Sequence, residues 1–243
     1  MSFGNDRRTP KSTGAREEIK ALALTIVTCR ACPRLVEWRE RAATAAPLAF
    51  RSEQYWAKPL PGFGDPAARL LIVGLAPAAN GGNRTGRMFT GDRSGDFLVA
   101  ALYRAEFANQ ATSKRRDDGL VLDGCFITAA VRCAPPRNRP TTDERDRCAP
   151  FLLAEAELLS QVRVVLALGA FAFEAVWRLF ESGIRTRRPK FVHGAEIALS
   201  PSPTGAERTL LCTYHPSQRN VFTGLLTAEM FDAVLGRARE LCG

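Results

Sequence analysis

With 243 residues, 46% of them hydrophobic and 24% charged, the chain has the material for one full-sized folded domain, which excludes a disordered or fibrous polymer. No apolar run approaches the roughly 18 residues of a membrane-spanning helix. The formal charge of +9 points to polyanionic partners, nucleic acid first among them, against the plainer alternative of a merely basic surface.

Residues 1–16 are polar and dotted with Arg and Lys, without helical periodicity or the apolar stretch of a secretory signal. A flexible basic arm is expected there, followed by a single domain over 17–243. Apolar spacing at Ile19, Ala23, Ile26 and Val27 predicts a helix over 17–28, and a second is expected around 35–43. Residues 44–68, with several prolines and the pair Tyr55-Trp56, read as an ordered loop packed on the body. Four continuous apolar runs follow, at 69–75, 124–131, 162–168 and 208–214. Such runs suit strands covered on both faces of a mostly parallel sheet.

Helical patterns at 96–108, 142–159 and 170–181 separate the runs, and a last helix is expected over 227–240. Thr141-x-x-Glu144 is a capping-box pattern that marks a helix start. Residues 190–199 suggest a further short strand or hairpin. The alternation predicts an α/β fold: one three-layer α/β/α domain around a central, mostly parallel four-stranded sheet.

Seven cysteines in a chain without a secretory signal are expected to be unpaired thiols in the cytoplasm. Cys125 and Cys212 lie in strand-like runs and read as core, and Cys242 belongs to the tail. The remaining four form two blocks, Cys29-x-x-Cys32 and Cys133 with Cys148. Thiolates grouped in this way hold zinc or an iron–sulfur cluster, and spacing alone does not separate the two. Because these cysteines stand apart from the strand-end motifs, a structural metal is expected.

Ligands of open α/β sheets bind at the carboxyl ends of the strands. Three motifs follow strands here: 74–82 the first, 134–140 the second and 215–220 the fourth. The first, Gly74-Leu-Ala-Pro-Ala78, is a tight turn of small residues that admits a ligand close to the backbone; it lacks both a Gly-Lys-Ser/Thr ending and a GxGxxG pattern. In Gly86-Arg-Met-Phe-Thr-Gly-Asp92, Phe89 is either a stacking platform for a base or a core plug. Asp92 is either a general base or, like Ser94, a helix cap. His215, one of two histidines, stands at a strand end, whereas His193 reads as a surface residue. Arg137 and Arg139 suit phosphates and Asn138 a base edge, and Arg219 with Asn220 suits a nucleic-acid backbone.

Taken together, Gly74–Ala78, Gly86–Asp92, Cys133-Ala-Pro-Pro-Arg-Asn138, His215-Pro-Ser-Gln-Arg-Asn220 and Tyr55-Trp-Ala-Lys-Pro-Leu-Pro-Gly-Phe-Gly-Asp65 resemble family 5 uracil-DNA glycosylases, the type-B iron–sulfur branch. The likeness covers about residues 29–235. It implies hydrolysis of the N-glycosidic bond of a deaminated base flipped from DNA. It also implies a [4Fe–4S] cluster on Cys29, Cys32, Cys133 and Cys148. On this likeness His215 stabilises charge on the departing base and Phe89 stacks on its face, with Gly74, Ala76, Ala78 and Ser217 completing the pocket.

Other families place a polar residue where this chain has Ala78, so Asp92 takes over that role, with Asp96 as the fallback. The 126–130 run has alanine where family 4 carries a uracil-reading Asn. A tolerance for hypoxanthine and other damaged bases is therefore expected, with Asn138 partly replacing the contact. Arg137, Arg139, Gln218, Arg219 and Asn220 would meet the DNA, and Gln218 or Arg219 would wedge into the stack. The implied protein is a monomer associated with the nucleoid. Two other readings stand beside it: a non-catalytic nucleic-acid-binding module with a redox-sensing or structural metal cluster, and a metal-stabilised hydrolase of free nucleosides.

Overall fold

The computed structural model describes residues 10–181, 188–201 and 205–243. Helix α1 (Pro10–Val27) starts inside the stretch expected to be a flexible arm, and the rest of that arm, residues 1–9, lies outside the described residues. Helix α2 (Pro33–Thr44) opens on a proline, which suits a first helical position because its missing N–H has no partner to lose.

The four apolar runs form β2 (Leu70–Gly74), β3 (Cys125–Ala129), β4 (Val164–Leu168) and β6 (Arg208–Thr213), all parallel in the order β3-β2-β4-β6. Among the described residues the sheet has six strands rather than four. β1 (Phe63–Gly64) pairs antiparallel with β3, and β5 (Glu196–Leu199) pairs antiparallel with β6. β1 fell within a predicted loop because two residues carry no periodicity. β5 is the short strand expected within 190–199.

Alternation divides the core. Leu70, Ile72, Val164 and Leu166 face one cluster with Leu98 and Leu102 of α4 (Arg93–Arg104) and with Phe231 and Leu235 of α8 (Ala228–Cys242). Leu71, Val73, Val165 and Ala167 face the other, with Leu152 of α5 (Thr142–Leu158) and with Phe173 and Val176 of α6 (Ala170–Phe180). A sheet of continuous apolar strands needs such a layer on each side, and the three-layer α/β/α arrangement supplies both.

The capping box at Thr141 and Glu144 forms as its sequence predicts, with Thr141 Oγ1 accepting from Glu144 N and Glu144 from Thr141 N. Cys125 and Cys212 are core residues. Cys242 is also buried, in the last turn of α8, because that helix runs past its expected end. His193 is half-buried rather than a surface residue: its ring stacks on Tyr214 at 5.0 Å.

Candidate active site

β3 and β4 flank β2 on opposite sides, so the order in which the chain adds parallel strands reverses at β2, and this is where open sheets place their ligands. A cleft of about 760 Å³ opens there. One wall is the turn after β2, with Leu75, Ala76, Pro77 and Ala78, and Ala129 ends β3 beside it. Across from them stand Met88, Phe89 and Asp92, and His215, Ser217, Gln218 and Arg219 come from the segment after β6. Asn138 closes the set from the loop after β3. The three strand-end motifs therefore converge.

Phe89 holds a φ of +49°, a left-handed conformation that costs a non-glycine residue about 1–3 kcal/mol. Gly74 is glycine because the Phe89 ring rests against it: a Cβ there would meet Cε2 and Cζ at 2.8 Å. Gly74 thus backs the pocket instead of lining it. The Phe89 and His215 rings lie 6.2 Å apart at 33°.

Both readings of Asp92 hold. It is the N-cap of α4, with Oδ1 accepting from Gly95 N at 2.9 Å, and it also lines the cleft. Its second oxygen lies so close over Gly81 that a Cβ there would sit 1.8 Å from it. Burial raises the Asp92 carboxyl above its usual range, partly offset by the N–H groups of Gly95 and Ser94. Asp96 does not reach the site. It pairs with Lys114 at 2.7 Å in the first turn of α4.

Burial lowers His215 to about 4, so its imidazole is neutral at pH 7 and offers one N–H. Neither ring nitrogen bonds to a described residue. Its backbone is fixed instead: His215 O accepts from Ser217 N at 2.7 Å and from Asn220 Nδ2 at 2.9 Å. Asn220 is therefore turned inward rather than toward DNA, its amide spent on His215. Ser217 Oγ accepts from Asn220 N and caps the short helix α7 (Gln218–Phe222) while facing the cleft.

Arg137 and Asn138 both have φ of +54° in the turn Pro136–Asn138. Asn138 faces the cleft, whereas Arg137 and Arg139 are exposed outside it, Arg139 also receiving Arg34 on its carbonyl at 3.3 Å.

Sequence reasoning missed two buried arginines that shape the Phe89 loop. Arg84 reaches Asn80 O at 2.8 Å and Gly91 O at 2.9 Å, tying the two ends of the loop, and also binds Glu53. Arg87 binds Asp118 at 2.8 and 2.9 Å and Thr90 Oγ1 at 2.9 Å. The only signal was their crowding into a glycine-rich turn, which does not name partners far along the chain. Phe222, 88% exposed at the rim of the cleft, was missed as well.

The four cysteines line one small cavity with Leu35, Val131 and Phe151. Among the described residues no three Cys, His, Asp or Glu side chains are grouped to hold a metal ion. Cys133 Sγ accepts from Arg39 Nη1 at 2.9 Å, and Cys148 Sγ accepts from Arg132 N at 3.3 Å. Four sulfurs around one cavity, two of them already receiving N–H donors, are a donor set that fits a thiolate-bound group. The cavity is nearer the cleft than expected, since Ala76 packs against the cluster of Leu35, Val131 and Cys133 while lining the cleft.

The uracil DNA glycosylase superfamily model matches residues 61–239. A Mycobacterium leprae type-5 uracil-DNA glycosylase is 50% identical over 233 residues, 95% of this chain and 99% of its own. The chain belongs to the type-5 uracil-DNA glycosylases. A Thermus thermophilus type-5 uracil-DNA glycosylase is also 50% identical, over 92% of this chain and 98% of its own. One from Pyrobaculum aerophilum is 44% identical over 90% and 91%. The family match takes in the segments that bear Phe89, Asp92, Asn138 and His215. Among the described residues no helix is long and apolar enough to cross a membrane.

Proposed function

We propose that this chain removes uracil from DNA by hydrolysing its N-glycosidic bond, and that residues 17–243 do so as one domain of a monomer at the nucleoid. Convergence of Phe89, Asp92 and His215 on one cleft, in a chain of this family, carries the reading. Phe89 stacks on the extruded base. As the bond from C1′ to the base nitrogen breaks, its electron pair moves onto the base, and the neutral His215 N–H stabilises that charge. Asp92 orients water toward C1′, takes its proton and steadies the positive sugar; burial, by raising its carboxyl, makes it a better proton acceptor than a free carboxylate.

The pocket accepts hypoxanthine and other deaminated bases besides uracil. Supporting this, Ala76, Ala78 and Ala129 face the cleft with methyl groups, so no amide on these strand ends discriminates among bases. Asn138 supplies an amide at the rim of the cleft, as does Gln218. Arg137, Arg139 and Arg219 hold phosphates. Phe222, rather than Gln218 or Arg219, fills the gap that the flipped nucleotide leaves, because a bare aromatic ring stacks between bases at low cost.

The four cysteines hold a [4Fe–4S] cluster. When bound it would supply a rigid covalent tie among the α1–α2 junction, the loop after β3 and helix α5, which carries Cys148, and no step of the hydrolysis passes through it. Brown protein containing iron and sulfide is expected; colourless protein with zinc would refute this assignment.

The test is a panel of duplexes carrying uracil, hypoxanthine, xanthine or thymine opposite guanine. Release of uracil and hypoxanthine is expected, and release of uracil alone would refute the broad pocket. Phe222→Ala is expected to slow release from duplex DNA while sparing single strands; equal effects on both would remove its wedge role.

A further inference from the structure

We infer that Arg39 is the counter-cation of the four-cysteine centre, balancing the negative charge that a metal–thiolate group brings into the fold. The inference rests on the reading of these cysteines as metal ligands. It starts from the way buried arginines are paired in this chain. Arg84, Arg87, Arg132 and Arg145 each have a carboxylate: Glu53, Asp118, Glu155 and Asp146 respectively; Arg208, 7% exposed, has none among the described residues and lies over the Phe180 ring at 5.2 Å. Arg39 is only 2% exposed, yet no carboxylate pairs with it among the described residues. Where those four meet an acid and Arg208 an aromatic face, Arg39 meets Cys133 Sγ at 2.9 Å and the carbonyl of Cys29 at 3.4 Å, and its Nε has no partner among the described residues.

A guanidinium taken out of water without an anion costs several kcal/mol. Neutral thiols do not offset that. Thiolates around a metal do, because four of them outweigh the charge of the ion or cluster they bind. The same guanidinium explains why the N–H donated to Cys133 is short: it is a charge-assisted contact when the sulfur is anionic. Arg39 also has a second tie, since its backbone carbonyl accepts from Asn83 Nδ2 at 3.1 Å, and Asn83 belongs to α3 (Gly82–Thr85) at the start of the Phe89 loop.

The test compares wild type, Arg39→Lys, Arg39→Gln and Arg39→Met as full-length, metal-loaded protein, reading the metal retained against a graded chelator. Arg39→Gln and Arg39→Met are expected to hold the metal about 10- to 100-fold more weakly than wild type, and Arg39→Lys close to it. A second measurement separates charge balance from simple packing. In metal-stripped protein Arg39→Met is expected to raise the melting temperature, because an uncompensated charge is gone; in loaded protein it is expected to lower it.

Equal retention in all four proteins, or a melting shift of the same sign in both states, would overturn the inference. If the stripped chain does not fold, the retention series decides alone. A wild type that carries zinc defeats the cluster assignment while leaving Arg39 tested by the same series. A wild type with no metal at all defeats both.

Discussion

At the scale of single residues, the site is built from side chains whose neighbours leave them little choice. Gly81 and Gly74 are the backbone surfaces against which Asp92 and Phe89 rest, so each of these two side chains has its seat written as an absent Cβ. The two titratable groups move in opposite directions for one reason. Burial disfavours charge, raising the Asp92 carboxyl and lowering His215 to about 4. Rates between pH 8 and 5 are therefore expected to show no step near the ordinary histidine value of about 6.5, and any acid-side fall follows Asp92. A step near there that vanishes in His215→Asn would contradict the neutral donor.

Stability carries the matching sign. The unfolded chain binds the His215 proton first, so folding weakens as pH falls from about 6.5 toward about 4. Thermal unfolding across that window is expected to be flatter in His215→Asn.

At the scale of elements, a buried pair joins the catalytic sheet to the cysteine loop. Arg132 and Glu155 meet at 2.6 Å with side chains 1% and 3% exposed. Glu155 further accepts from Thr128 Oγ1 at 2.6 Å and Gly62 N at 3.0 Å. It thereby fixes β3, α5 and the 59–62 stretch together. Glu155→Ala leaves Arg132 charged and unpaired, with an expected loss of about 3–5 kcal/mol in urea unfolding. A loss below about 1 kcal/mol would show that the pair is not a joint.

This network was not legible in the sequence, where Glu155 is one acid in a helical run and Arg132 one base before a cysteine. Periodicity did show the four inner strands, because both faces of each are buried and the apolar run is unbroken. It missed β1, which exists only through pairing with β3, and it placed α4 three residues late because the cap at Asp92 looked equally like a catalytic group.

At the scale of the whole molecule, a general rule about strand ends brought the 74–82, 134–140 and 215–220 motifs together, with Asp92 added from its own loop and the family likeness, and the cleft where strand order reverses follows that rule. The inward turn of the Asn220 amide and the outward placement of Phe222 were invisible, since both sit in one five-residue helix too short to show a periodicity. The charge of +9 is concentrated by function only if the rim arginines touch phosphates. DNA binding is then expected to fall linearly in log–log form with salt, and Arg137→Ala or Arg139→Ala to reduce the slope by about 1 each. Unchanged slopes would place the DNA elsewhere.

The most direct measurement is release of uracil from a labelled oligonucleotide, read as strand cleavage at the abasic site after alkali, for wild type, Asp92→Ala and His215→Ala. Rapid release by wild type is expected, with each variant slowed at least about a hundredfold while still binding the DNA. Variants as fast as wild type, or a wild type that binds without releasing the base, would contradict the account.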